Sequence, residues 1–262
     1  MRALRTLLAV LATAGVFATS AHASSGTNFS DQWWNPNESG WGAAISQQAD
    51  VLFVELYLYG PDNRPTWYSG ALYFQPNSGR LLFTGDLYTY TGPWFGIGSF
   101  NPNFVTNRKV GTIAFDASST DTATLTYSID GTQYSKDIER QLWRYEDFHG
   151  SYYGGFVYDQ SNCANPNSNG HIEELGSVDI NHASNNTFTL TLTSGHGTCT
   201  VTGPYSQLGH MGTVQASYAC SYGVNGTMTL YELERTSAGM TGRFVATNNV
   251  CDAAGTLGGV QR

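Results

Sequence analysis

The chain has 262 residues and a formal net charge of −8, with 12% charged residues against about 25% in an average soluble protein. An acidic, charge-poor chain of this kind disfavours nucleic acid and anionic membrane as partners. The length allows one large or two ordinary domains.

The first residues read as a leader. Arg2 and Arg5 precede an apolar run from Leu7 to Ala18, and Ala21-His22-Ala23 is a small-x-small cleavage site. This predicts a secretory signal peptide over residues 1–23. The mature chain then carries ten basic against twenty acidic residues, a net charge of −10, and is expected to be secreted or periplasmic. No later stretch is long enough to span a bilayer; the most apolar, Val51 to Tyr59, contains Glu55.

The stretch Trp33-Trp34-Asn35-Pro36-Asn37-Glu38-Ser39-Gly40-Trp41-Gly42 concentrates three tryptophans, a carboxylate and turn formers. Adjacent Trp33 and Trp34 cannot both enter one core if the segment is extended. One of them is then free to stack on a flat ligand, with Glu38 as a hydrogen-bonding neighbour. The competing reading is an aromatic plug at the end of the domain.

Beyond Gly42, short β-branched and aromatic segments alternate with turn chemistry roughly every ten residues, which predicts an all-β fold of barrels or sandwiches. Strands are expected near 43–48, 51–59, 66–74, 80–90, 109–116, 122–129 and 133–142. A second set is expected near 151–158, 171–181, 187–193, 198–207, 212–220, 227–235, 241–247 and 256–261. All six tryptophans lie at or before Trp143, and all four cysteines lie after it. That partition predicts two tandem antiparallel domains, 24–147 and 148–262, joined near Tyr145 to Gly150. No internal sequence repeat is evident.

Hairpin arithmetic then assigns faces. Turning 51–59 and 66–74 about Asp62-Asn63 pairs Glu55 with Gly70 and Tyr57 with Tyr68. Turning 66–74 and 80–90 about Asn77-Ser78 brings Gly85 beside Gly70. This register puts Val51, Phe53, Tyr57, Leu72, Phe74, Leu81, Phe83 and Leu87 inside with Glu55; a one-residue slip sends Glu55 to solvent. The other face, with Leu52, Val54, Leu56, Leu58, Trp67 and Tyr73, is then expected to pack on the second domain. In the second domain, a turn at Gly209-His210 places Cys199 opposite Cys220 and Val201 opposite Tyr218, leaving Cys163 to pair with Cys251.

The opening stretch resembles the Trp-Trp-x-Pro-x-Glu-Ser-Gly-Trp-Gly signature of a group of exported bacterial proteins of unassigned function. An Asp-x-Leu-Phe strand (Asp50 to Phe53), a Pro-x-Trp-Tyr strand (Pro65 to Tyr68) and an Ile-x-Arg-Gln closing strand (Ile138 to Gln141) extend the resemblance over about Gln32 to Leu142. It implies an exported β-domain and no activity. Trp33, Asn35 and Ser39 also resemble the opening of avidin-type barrels, from which Pro36 and Glu38 depart.

No catalytic, cofactor or metal motif stands out. His171-x-Glu173 reads as a solvated strand face. Asn28, Asn37, Asn185 and Asn225 open Asn-x-Ser/Thr sequons. The residues point to a non-catalytic protein that binds a small molecule or glycan through Trp33, Trp34, Glu38, Trp41, Glu55, Tyr57, Tyr68 and Tyr88 of the first domain. The alternatives are a glycan-active hydrolase using Glu38, Glu55 and Asp86 as paired carboxylates, and a surface or inhibitor protein with a protein partner. The oligomeric state is not set by the sequence.

Overall fold

The computed structural model describes residues 26–262 apart from positions 95, 97 and 185; the leader expected over 1–23 and the sequon at 185 lie outside the described residues. The chain forms two closed antiparallel barrels of eight strands each, in tandem. The first runs β1 (Asp31–Trp34), β2 (Gly42–Gln48), β3 (Val51–Tyr59), β4 (Pro65–Phe74), β5 (Leu81–Thr91), β6 (Thr106–Ala117), β7 (Thr122–Ile129) and β8 (Thr132–Arg140). The second runs β9 (Gly150–Ser161), β10 (Gly170–His182), β11 (Thr187–Ser194), β12 (Gly197–Leu208), β13 (Met211–Cys220), β14 (Asn225–Arg235), β15 (Gly239–Asn248) and β16 (Asp252–Gln261). Among the described residues no helix is long and apolar enough to cross a membrane.

The opening tryptophans close the first barrel. Trp33 sits opposite both Ala43 on β2 and Arg140 on β8, so four residues of β1 join the first and last long strands. Closure removes the sheet edges that would otherwise template aggregation. The Trp33 side chain is fully buried, its Nε1 donates to the Phe29 carbonyl at 3.0 Å, and its ring packs edge-on against Phe115 at 5.0 Å. Here the aromatic-plug reading holds.

The second barrel repeats the device. Phe148 is fully buried beside Phe188 and Tyr205, and the hydroxyl of Tyr152, four residues on, donates to the Phe148 carbonyl at 2.8 Å. The pairs Phe29/Trp33 and Phe148/Tyr152 thus occupy equivalent places, a Phe ahead of the first strand and a hydrogen-bonding aromatic on it.

The register expected for β3 and β4 is corrected by one residue. Glu55 pairs with Ser69 and Tyr57 with Trp67, because the connection is five residues long, 60–64, and Gly60 N–H donates to the Arg64 carbonyl at 2.9 Å. The turn therefore centres on Asp62 instead of falling between Asp62 and Asn63. The slip reverses the faces: Leu52, Val54 and Leu56 are fully buried, while Phe53, Glu55 and Tyr57 are exposed. Gly85 lies opposite Leu72 rather than Gly70, since a short 3-10 helix at Pro76–Ser78 and left-handed Gly79 add length to that turn. Each buried leucine contributes about 1.5–3 kcal/mol, which is why the core sets the register.

The expectation that the Leu52–Leu58 face packs on the second domain is also overturned, because that face lines the closed interior. The barrels meet end to end. His210, in the β12–β13 turn, gives its backbone N–H to Asp31 Oδ2 at 3.1 Å, and its ring Nδ1 lies 2.7 Å from the same oxygen. Arg140, fully buried, donates to Asp31 (3.2 Å) and to the carbonyls of Thr120 (2.8 Å), Ser30 (3.3 Å) and Asn28 (2.6 Å), and its guanidinium lies 4.9 Å from the Trp33 ring. Gly209 must be glycine: it has φ 58°, and a Cβ there would strike the Asp31 carboxylate and the Arg140 side chain. A β-bulge in β14 turns Glu232 (φ 51°) out of the ladder to accept from Thr27 of the first barrel at 2.8 Å.

Candidate functional site

The residues expected to bind ligand are divided among three places. Trp33 is core. Glu38 and Trp41 lie at the first barrel's mouth, at the end away from the joint. There Trp41 Nε1 donates to Glu38 at 3.0 Å and Lys136 Nζ donates to both Glu38 oxygens at 2.8 Å. The hydrogen bond from the Lys136 ammonium, against desolvation and with help from Trp41, holds the Glu38 carboxyl below the usual range. Tyr68 faces the same interior, and Tyr127 stacks on Tyr134 at 5.1 Å. Burial first, then Tyr134, Glu38 and Tyr68, push the Tyr127 hydroxyl up to about 12. This mouth is occupied by its own ion pair.

Glu55, Tyr57 and Tyr88 belong to the outer wall, together with exposed Trp67, which stacks on Tyr90 at 5.1 Å. Tyr57 lies over Gly42, where a Cβ would meet its hydroxyl. Trp34 is half-buried on β1 beside Glu139. Asp86 pairs with Lys109 on the outer wall at 2.7 Å. The carboxylates of the hydrolase reading therefore do not face one another: Glu38 is inside the mouth, and Glu55 and Asp86 are outside the wall. An inward Glu55 beside Gly70 and Gly85 is not found.

An inward carboxylate in an aromatic cavity does exist, in the second barrel. The strand ends away from the joint surround a partly enclosed cavity of about 130 Å³, lined by Phe156, Tyr158, Glu174, Tyr218, Tyr222, Met228, Phe244 and Asn248 among others. Alternation along β10 places Glu174 in line with buried Val178 and Ile180, and its cross-strand partner on β9 is Phe156. The Glu174 side chain is 11% exposed; Ser194 Oγ donates to it, and His196 Nδ1 lies 3.1 Å from Oε2. On the far wall, Asn248 Nδ2 donates to the Tyr218 hydroxyl at 2.8 Å, and Asn248 Oδ1 accepts from the N–H groups of Val250 and Cys251. Tyr158 packs edge-on against Phe244 at 5.7 Å. Burial, with Tyr222, Glu174 and Tyr218 nearby, pushes the Tyr158 hydroxyl up to about 12, so it stays a neutral phenol.

Both disulfides brace this mouth. Cys199 is bonded to Cys220, as hairpin register leads one to expect, and Cys163 to Cys251, the pair left by elimination; Cys199, Cys220 and Cys251 line the cavity. Cross-strand pairs Cys199/Cys220 and Val201/Tyr218 form as expected, because a two-residue turn at Gly209-His210 fixes the sum of partner numbers. The sequence signal that could have located the cavity was there. Phe156, Tyr158, Tyr218 and Phe244 alternate with other residues along strands that end at a cysteine or within three residues of one, and Glu174 interrupts an inward row on β10.

His171 and Glu173 lie on the exposed outer wall with Asp159, and no group of metal-binding side chains is found among the described residues.

No protein-family model and no curated protein matches the chain. Among solved structures it is similar to the isotype 1 transferrin-binding protein B from serogroup B Neisseria meningitidis. The identity is 10% over 85% of this chain, with a TM-score of 0.34. The chain spans 66% of that protein's length. So distant a likeness carries no argument about the site.

Proposed function

We propose that this chain is an exported, non-catalytic binding protein that holds a small organic molecule in the mouth of its second barrel. The observation that carries this reading is the aromatic cavity around Glu174. Small-molecule sites are concave, mostly apolar and furnished with a few convergent polar groups. Two disulfides and the leader-like start fit an oxidising compartment outside the cytoplasm. Bracing the mouth by disulfides keeps the cavity formed before ligand arrives, which lowers the ordering cost of binding. Native mass spectrometry of protein purified from its own host tests the reading. A retained small-molecule mass is expected; a bare chain mass from every growth condition overturns it.

A second reading, glycan binding on the outer wall of the first barrel, is favoured by exposed Trp67 stacked on half-buried Tyr90 and flanked by Glu55, Ser69, Tyr57 and Tyr88. Stacking of sugars on such rings predicts retardation in affinity gels containing polysaccharide, lost in Trp67→Ala. Equal mobility of both proteins in a broad set of polysaccharides sinks it.

A further inference from the structure

We propose that the second barrel's mouth selects a small alkylammonium cation, with Glu174 as its counter-charge and Tyr158, Tyr218 and Tyr222 as its cage. This rests on the small-molecule reading above and names the ligand's chemistry. Among the described residues that line the cavity, Glu174 alone carries a formal charge, and none is a lysine, arginine or histidine. His196, which touches the Glu174 carboxylate, has a side chain 77% exposed and is not among the lining residues. A carboxylate has about four lone-pair sites, so the Ser194 and His196 contacts leave acceptor capacity for a guest.

The choice of a cation follows from what the cavity would do to other guests. An anion meets like charge at short range in a poorly screened site. A neutral apolar guest strips water from Glu174 and returns no compensating charge. An ammonium group answers the carboxylate and is also attracted by the electron-rich faces of tyrosine rings. The rings are held for this: the Tyr218 hydroxyl accepts from Asn248, and the Tyr222 hydroxyl lies 3.2 Å from Cys199 Sγ. The Tyr158 hydroxyl makes no hydrogen bond among the described residues, leaving it available to a hydroxyl or N–H on the guest. A cavity of about 130 Å³ is close to the roughly 150 Å³ that admits one benzene, which limits the guest to a compact group such as trimethylammonium.

The test is calorimetric titration of the disulfide-intact chain with choline and tetramethylammonium, against 3,3-dimethylbutan-1-ol, the uncharged isostere of choline. Both ammonium probes are expected to bind at least about tenfold tighter than the isostere, which has the same shape but neither answers the carboxylate nor gains the cation–π attraction. In Glu174→Gln that preference should fall to a few fold or less. Tyr158→Phe, which keeps the ring, should retain it, and Tyr158→Leu should lose most of it. Equal affinity for choline and its isostere overturns the cation assignment while leaving a small-molecule site. Absence of binding by either ammonium probe also overturns it, and a non-cationic molecule carried from the host would identify that outcome as a failure of ligand class alone.

Discussion

Replacing Arg140 by methionine tests the buried charge network on the first barrel's side of the joint. The side chain is fully buried, and methionine nearly fills its volume, so the change removes donors more than packing. Three carbonyls, at Asn28, Ser30 and Thr120, lose their partner, and so does one bond to Asp31. Asp121, whose Oδ1 lies 3.5 Å from Arg140 Nε and has no hydrogen bond, is left buried without a counter-charge. Burial opposes the Arg140 charge, but Asp31, Asp121 and Glu232 favour it, and a guanidinium stays protonated. Removing one partner of a buried charged network costs about 3–5 kcal/mol. Denaturant unfolding of wild type and Arg140→Met should show that loss, with a substantial part recovered in Arg140→Met/Asp121→Asn because the orphan carboxylate has gone. A loss below about 1 kcal/mol, or no recovery in the double variant, would refute the reasoning.

The remaining expectations concern acid, cystines and register. In Asp31, burial raises the carboxyl pKa, but donors from His210 and Gln32 outweigh it and leave it below the ordinary 3.8. Its contribution is therefore complete above about pH 4 and lost as pH falls through the lower folded value, so Asp31→Asn should flatten the acid decline in stability. Asp121 is raised by burial and has the opposite sign; its charge costs stability above about pH 4, and Asp121→Asn should be neutral or stabilising at pH 7. Thermal melts from pH 2 to 7 check both, and a steeper acid limb in Asp31→Asn would contradict the first. Removing the Cys163–Cys251 bond, which spans 88 residues, should cost roughly 4–5 kcal/mol in the loop-entropy model, against about 3 for the 21-residue Cys199–Cys220 loop. Equal or reversed losses in equilibrium unfolding would count against that ordering. Glu55→Gln should change stability by less than about 0.5 kcal/mol and Leu56→Ala should lose about 2–5, and the reverse pattern would restore an inward Glu55.

Strand positions and barrel number were legible because turn residues recur at strand length. The cystine register was legible because the Gly209-His210 turn has two residues and therefore a fixed symmetry. The face of β3 was not, although Leu72, Phe74, Leu81, Phe83 and Leu87 lie inside as expected. A strand apolar on both sides, with Leu52, Val54 and Leu56 facing Phe53, Tyr57 and Tyr59, carries no alternation to correct an error of one residue. The loop at 60–64 supplied that error, whereas the 3-10 turn at Pro76–Ser78 moved the partner of Gly85 by two residues and left its face unchanged. An inward carboxylate beside aromatic rings was expected from hairpin arithmetic at Glu55, which faces outward; the arrangement occurs at Glu174 in the second barrel instead. Tryptophan drew attention to the first half, where Trp33 is a plug and Trp67 an outer-wall residue. The Arg140–Asp31–His210 joint joins residues more than a hundred positions apart, which no local pattern records.

The central claim is that the second barrel's mouth is the ligand site. The most direct measurement is paired native mass spectrometry of the wild-type chain and of Ala246→Phe, both purified from the protein's own host. Ala246 lines the cavity, so phenylalanine there fills much of its volume at an overpacking cost of about 1–3 kcal/mol, which the two cystines should tolerate. The account predicts a retained small-molecule mass on the wild type and its loss from a folded Ala246→Phe. A ligand held equally by both proteins would place the site elsewhere.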